Sequence, residues 1–212
     1  MSTRSFNIEK QSFDIIESEV GKHDYNEDQW MIVRRVIHAT ADFDFANSCK
    51  IVFHRNAIES AFLAFSKQCY IVTDVEMVLH GMNKKSVSSL KLTGVCYIND
   101  PECIENSKKL EKTRSELAIQ KARDKINNGI VIVGNAPTAL YEVVNLIKEK
   151  KLSPLLVIGI PVGFVSAVES KHELSKLNVP YITNSGRKGG SSAASSIINA
   201  LMLLYIEYNK KN

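Results

Sequence analysis

Apolar residues in this chain gather in short unbroken runs separated by longer amphipathic stretches. The runs are CYIVTD (69–74), LTGVCYI (92–98), IVIVGN (130–135), LLVIGI (155–160) and PYITN (180–184), strand-sized and too short for helices. Unbroken runs such as IVIV and LLVIGI, rather than alternating ones, mark strands buried on both faces. Helix-like segments follow most of them, so the pattern predicts βα units and an α/β fold with a parallel sheet of about five strands between helix layers. The first 68 residues hold no comparable strand. There, Ile8, Ser12, Ile15, Ile16 and Val20 recur at helical spacing, as do Trp30, Val33, Arg34 and Ile37, which predicts a helical N-terminal arm. No Pro/Gly/Ser-rich linker divides arm from sheet, so residues 1–212 read as a single domain.

Composition narrows the class of function. A chain of 212 residues with 44% hydrophobic residues is long enough to bury one large core. The longest apolar stretch, LLVIGIPVGFV, is broken by glycine and proline and falls short of the ~20 residues a bilayer span needs. MSTRSFNIEK lacks the apolar core of a signal peptide, so the cytoplasm is the expected location, with no membrane partner. Cys49, Cys69, Cys96 and Cys103 form no CxxC pair, which points to free thiols rather than a zinc site or a disulfide framework. The net charge of +4 is spread along the chain, without the basic stripe of a nucleic-acid binder.

In open α/β sheets ligands collect at the carboxyl ends of the strands, so the residues after each run carry the candidate chemistry. After PYITN comes SGRKGGSS, where Gly189, Gly190, Ser191 and Ser192 open a helix beside Arg187 and Lys188. Free N–H groups and the positive end of the helix dipole would form an anion cradle there, although the same glycines and serines would equally make a turn and cap a helix. After IVIV comes GNAPTAL, with Gly134 for a tight turn, Asn135, Pro137 suited to a first helical position, and the Thr138 hydroxyl; it reads as a second anion-ready helix start. After LLVIGI comes PVGFVSAVESK, where Gly163 lets backbone approach a ligand. Neither GxGxxG nor the phosphate-wrapping GxxxxGK[ST] occurs, so a nucleotide site is disfavoured. In RRVIHATADFDFANS, His38 ends an apolar helical face and precedes Asp42 and Asp44. Histidine can donate and recover a proton near neutral pH, but a lone histidine is more often structural, and a metal reading with Asp42 or Asp44 lacks a partner histidine at ligand spacing.

Taken together, SFDIIESE, RRVIHATADFD, TDVEMVLHG, KTRSELA, IVGNAPTAL, IGIPVGFVSAVESK and PYITNSGRKGGSSAASSIINAL resemble the precorrin-8X methylmutase family of cobalamin biosynthesis, in order from about residue 5 onward. The resemblance implies a flavodoxin-like fold and a homodimer that needs no cofactor or metal of its own. It implies an isomerase that moves a methyl group of a corrinoid tetrapyrrole from C11 to C12, and the family embraces cobalt-loaded and metal-free rings alike. His38 matches the family's proton donor and acceptor, and Ser12 and Arg35 match positions that contact substrate. Arg114 and the stretch Arg187, Gly189, Gly190, Ser191 also align with family motifs.

Two departures stand out: Ala41 and Phe43 occupy a stretch where many relatives have glycine and often proline, and Glu9 stands where some have tyrosine. A substrate rimmed by acetate and propionate carboxylates calls for several separated anion contacts, for which Arg35, Arg114, Arg187, Lys188 and the helix starts after Asn135 and Gly190 are the candidates. A non-catalytic carrier of an anionic tetrapyrrole would use the same arginines without needing His38.

Overall fold

The computed structural model describes residues 3–211. Two helices come first, α1 (Thr3–Val20) and α2 (Glu27–Thr40), then a 3₁₀ turn at Phe43–Phe45 and the strand β1 (Ile51–Phe53). They are followed by α3 (Ala57–Ser66), β2 (Tyr70–Thr73), α4 (Glu76–Gly81), α5 (Lys84–Ser89) and β3 (Thr93–Cys96). Next come α6 (Pro101–Lys109), α7 (Arg114–Lys121), α8 (Arg123–Ile126), β4 (Ile130–Val133) and α9 (Pro137–Lys148). The chain closes with β5 (Leu156–Gly159), α10 (Ala167–Ser175), β6 (Tyr181–Asn184) and α11 (Ser191–Lys211).

The six strands form one sheet in the order β1-β6-β5-β4-β2-β3. Strands β2 to β6 are mutually parallel, and β1 pairs antiparallel with β6, Ile51 opposite Asn184 and Phe53 opposite Ile182. All five strand runs read from the sequence are present, and β1 is an addition to them. It escaped the pattern because it is short: Ile51 is buried, Val52 lies 40% exposed, and Lys50 and His54 flank it, so no apolar run exists to be seen.

Helices cover both faces. Ile130, Ile132, Leu156, Ile158 and Ile182 pack with Ile32, Val36, Ala61, Ile197 and Leu201 from α2, α3 and α11. Val131, Val133 and Val157 face the other way, against Ile119, Leu140, Val143, Val144 and Leu174 from α7, α9 and α10. Every residue of IVIV and LVIG is buried, which is why those strands read as continuous apolar runs.

The helical arm is present, but α1 uses only part of its apolar stripe. Ile16 is buried against α2, and the Trp30 indole N–H donates to Glu17 at 2.8 Å, while Ile8 and Ile15 are 55% and 56% exposed. The start of α2 carries its own signal: the Asn26 side chain accepts the Gln29 N–H at 2.9 Å and the Gln29 side chain accepts the Asn26 N–H, a reciprocal cap. Its end is set by Ala41, which closes the helix in the left-handed region (φ 52°, ψ 33°) with its N–H on the Ile37 carbonyl.

The departure at position 41 thus leaves the backbone in a conformation that glycine adopts without penalty and alanine does not. Ala41→Gly is expected to raise the unfolding free energy by about 0.5–1 kcal/mol, relief of Cβ strain outweighing the extra chain freedom of glycine in the unfolded state. Urea denaturation would show this as a higher midpoint at unchanged slope, whereas a lower midpoint would mean that Ala41 is not strained.

Candidate functional site

His38 sits in the last turn of α2 with its ring exposed. One helical turn earlier Arg35 faces the same way, and α1 supplies what lies between and beside them. The Phe13 ring is 5.2 Å from the His38 ring and tilted by 59°. The guanidinium groups of Arg34 and Arg35 lie 4.4 and 5.3 Å from the Phe13 centroid, so one aromatic ring supports two cations and the histidine. Glu9 pairs with Arg35 at 3.2 Å, and Glu17 with Arg34 at 2.7 Å. Arg35 Nε is buried and has no hydrogen-bond partner. Ser12, next to Phe13, turns its hydroxyl back onto the Ile8 carbonyl at 2.9 Å.

The glycine-rich turn after β6 is held from beneath. Lys171, 3% exposed, donates through Nζ to the carbonyls of Gly186 (3.0 Å) and Lys188 (2.6 Å), and the Asn184 side-chain amide donates to those of Ser185 (2.8 Å) and Lys188 (2.9 Å). Burial pulls the Lys171 ammonium down to about 8. Gly189 runs so close to the preceding loop that a Cβ would collide with the Ile160 and Pro161 carbonyl oxygens. Gly163 N–H meets the Arg187 carbonyl at 3.1 Å, joining the PVGFV and GRKGGS loops. Arg187 lies over the Phe164 ring at 5.6 Å, beside a shallow concavity lined by Val162, Gly163, Phe164, Arg187 and Lys188. Phe164 and Val165 are 87% and 82% exposed.

Two expectations about this turn are corrected. Gly190 does not offer its N–H to a ligand, because the Ile160 carbonyl takes it at 3.0 Å, one residue before α11 begins at Ser191. Lys188 is not a free cation. It bridges Asp42 (2.8 Å) and Asp44 (2.7 Å), and holds the Asp44 carboxyl below the usual carboxylate range. Asp42 and Asp44 therefore share one cation from the glycine-rich turn. The pairing also ties that turn to the segment that leaves His38.

The turn after β4 is corrected in the same sense. Its N–H groups, from Gly134, Asn135 and Ala136, are taken by the side chain of Asp74 at 3.0, 2.8 and 2.8 Å. The turn that leads into α9 is therefore already filled by an anion from the chain itself. The Thr138 hydroxyl joins those of Thr113 and Ser115 at 3.0 and 3.1 Å, which brings the start of α7, with exposed Arg114, onto the start of α9. The Asn135 side chain remains exposed.

The candidates thus fall into three groups: Ser12, Arg35 and His38 on the α1–α2 face, Gly163 with residues 187–191, and Arg114 with Asn135 and Thr138. Lys188 joins the first to the second; among the described residues no hydrogen bond or ion pair joins the first to the third. Sequence reasoning passed over Phe13 and Asp74, and read Lys171, with Glu169, only as charge on the helix after PVGFV, whereas it is buried beneath the glycine-rich turn. For Asp74 a signal was there: a carboxylate straight after a buried strand in YIVTD.

The model of the precorrin-8X methylmutase family matches residues 7–204. A cobalt-precorrin-8 methylmutase of Leptospira interrogans is 46% identical over 206 residues, covering 93% of each chain. Another, from Priestia megaterium, is 45% identical over 93% of this chain and 87% of its own. The crystal structure of a precorrin-8x methyl mutase from Thermus thermophilus superposes with a TM-score of 0.88 at 35% identity, covering 95% of this chain and 97% of that one. The matched region takes in the helical arm, the whole sheet and all three groups of site residues, and the chain belongs to the precorrin-8X methylmutase family.

Proposed function

We propose that this chain is a cofactor-free isomerase of cobalamin biosynthesis that moves the C11 methyl of a corrinoid ring to C12, with His38 as its general acid and base. The observation that carries the reading is the grouping of exposed His38, Phe13 and Arg35 on one face of the arm, within a chain matched to the family over residues 7–204. A hydrogen bond or proton from His38 to the ring draws electron density from the migration terminus. The C11–methyl bond breaks as the C12–methyl bond forms, and the proton then returns to His38, so that substrate and product are isomers. Arg35 receives a peripheral carboxylate, exchanging part of its contact with Glu9, while Arg114 and Arg187 are exposed for further carboxylates and Asn135, Thr138, Gly163, Gly189 and Ser191 line the turns beside them. Val162 and Phe164 offer apolar surface to the flat ring.

The names of the two relatives above favour the cobalt-loaded ring as substrate. The enzyme works as a homodimer in the cytoplasm, each chain a single methylmutase-like domain, with the site near the subunit boundary. Exposed Ile8, Ile15, Phe164 and Val165 supply apolar surface suited to such a boundary. Among the described residues no helix is long and apolar enough to cross a membrane.

Following the visible spectrum of cobalt-loaded and metal-free substrate with the purified protein is expected to show turnover of the cobalt form at the higher kcat/KM; equal or reversed values would reject the preference. Light scattering at micromolar protein should give twice the 23.7 kDa chain mass, and a monomer would count against the dimer. His38→Ala should keep its fold and its substrate affinity yet turn over about 100-fold more slowly or worse, the usual scale for a lost acid-base group. Arg35→Ala, by contrast, should weaken substrate and product binding alike by about 1.5–3 kcal/mol in a spectral titration. Wild-type turnover by His38→Ala would take His38 out of the mechanism.

A further inference from the structure

Strand order reverses between β2 and β4: β3 lies on one side of β2, and β4, β5 and β6 run off on the other. The crevice at the carboxyl ends of two such strands is where open α/β sheets place their ligands, often a phosphate on loop N–H groups. In this chain a side chain stands there. Asp74 immediately follows β2 and is 0% exposed, and its own N–H continues the sheet to the Ile132 carbonyl at 3.1 Å. One carboxylate oxygen accepts from Gly134 and the other from both Asn135 and Ala136. Each of these partners is a donor, so the ionised carboxylate is the form the turn fits. Among the described residues no lysine or arginine pairs with Asp74, and the three N–H groups are its compensation. The turn has little freedom to relax, since a Cβ on Gly134 would lie 2.8 Å from Val78 Cγ2 and 2.9 Å from Ala194 Cβ.

We propose that Asp74 is a positioning residue for the methyl transfer: a built-in anion that fills the nest of the 134–136 turn, fixes the Asn135 side chain and the start of α9 for the corrinoid, and closes this crevice to free anions. The proposal rests on the methylmutase reading for the identity of the corrinoid, but its test reads binding and anion response rather than turnover alone. Removing the carboxylate leaves three converging N–H groups that a small anion can satisfy, whereas a side chain that merely fills space leaves nothing an anion can replace.

The test uses full-length Asp74→Gly and Asp74→Asn with formate as the probe, and three readouts: melting temperature, corrinoid Kd by spectral titration, and kcat against KM. In Asp74→Gly the corrinoid Kd and KM are expected to rise about tenfold or more, from misplacement of Asn135, while kcat stays within about threefold because His38 lies on another element. Millimolar formate should then raise the melting temperature of this variant saturably and restore Kd and KM in parallel, leaving wild type unmoved. Asp74→Asn, which turns an amide N–H₂ toward at least one of the three N–H groups, should bind corrinoid weakly and gain nothing from formate.

Recovery of the melting temperature without recovery of Kd would reduce Asp74 to a structural role and overturn the proposal. So would an absence of formate response in Asp74→Gly, or wild-type binding by Asp74→Asn. If Asp74→Gly folds only when formate is present, the nest's need for an anion is upheld, and the Kd of that folded form decides the positioning role. Failure of the methylmutase reading would appear separately, as no corrinoid turnover by the wild-type protein while formate still raises the melting temperature of Asp74→Gly.

Discussion

A parallel sheet buried on both faces gathers its loops at the carboxyl ends of the strands, and each loop takes backbone groups out of water with no ladder to receive them. Here two internal ions meet that need, one of each sign. The Asp74 carboxylate receives three N–H groups from the turn after β4, and the Lys171 ammonium donates to two carbonyls of the turn after β6. Burial works against both charges, raising the Asp74 carboxyl and lowering the Lys171 ammonium. They persist because deleting either would leave several main-chain groups bare at once. The loops that carry Asn135, Arg187 and the start of α11 therefore have defined shapes before any substrate arrives.

The same economy governs the site's positive charges. Arg35 shares its guanidinium with Glu9, and Lys188 is committed to Asp42 and Asp44. Of the candidate cations, Arg114 and Arg187 are exposed and, among the described residues, form no ion pair with a carboxylate. Two of the four candidate cations are thus held in place by carboxylates that an incoming anion would have to displace.

Much of this was legible in the sequence wherever burial alone decides the pattern. IVIV and LLVIGI read as doubly buried strands, and Pro137 marks a helix start through local chemistry. Strand β1 was not legible, because an edge strand of three residues with one buried side chain has no periodicity to detect. The stripe of α1 predicted a helix correctly but overstated its burial, since periodicity reports which residues share a face and not what covers that face. Glycines and a proline at GNAP and GRKGG announced tight turns, yet whether a turn's N–H groups are free or filled depends on a residue from a distant strand, such as Asp74. Motif spacing carries no information about that pairing.

The antiparallel direction of β1 has a wider effect than its three residues suggest. Pairing Ile51 with Asn184 sets the first residue of β1 against the last of β6, so the chain coming from His38 enters the sheet at the end where β6 leaves it for the glycine-rich turn. Had β1 run parallel to its neighbour, the arm would have been delivered to the opposite rim, a full strand length from every loop discussed here. One reversed edge strand acts as a topological switchback, bringing the end of an N-terminal helical extension to the rim that carries the glycine-rich turn. A relative that lost this pairing could retain every motif in its sequence and still separate its histidine from its glycines.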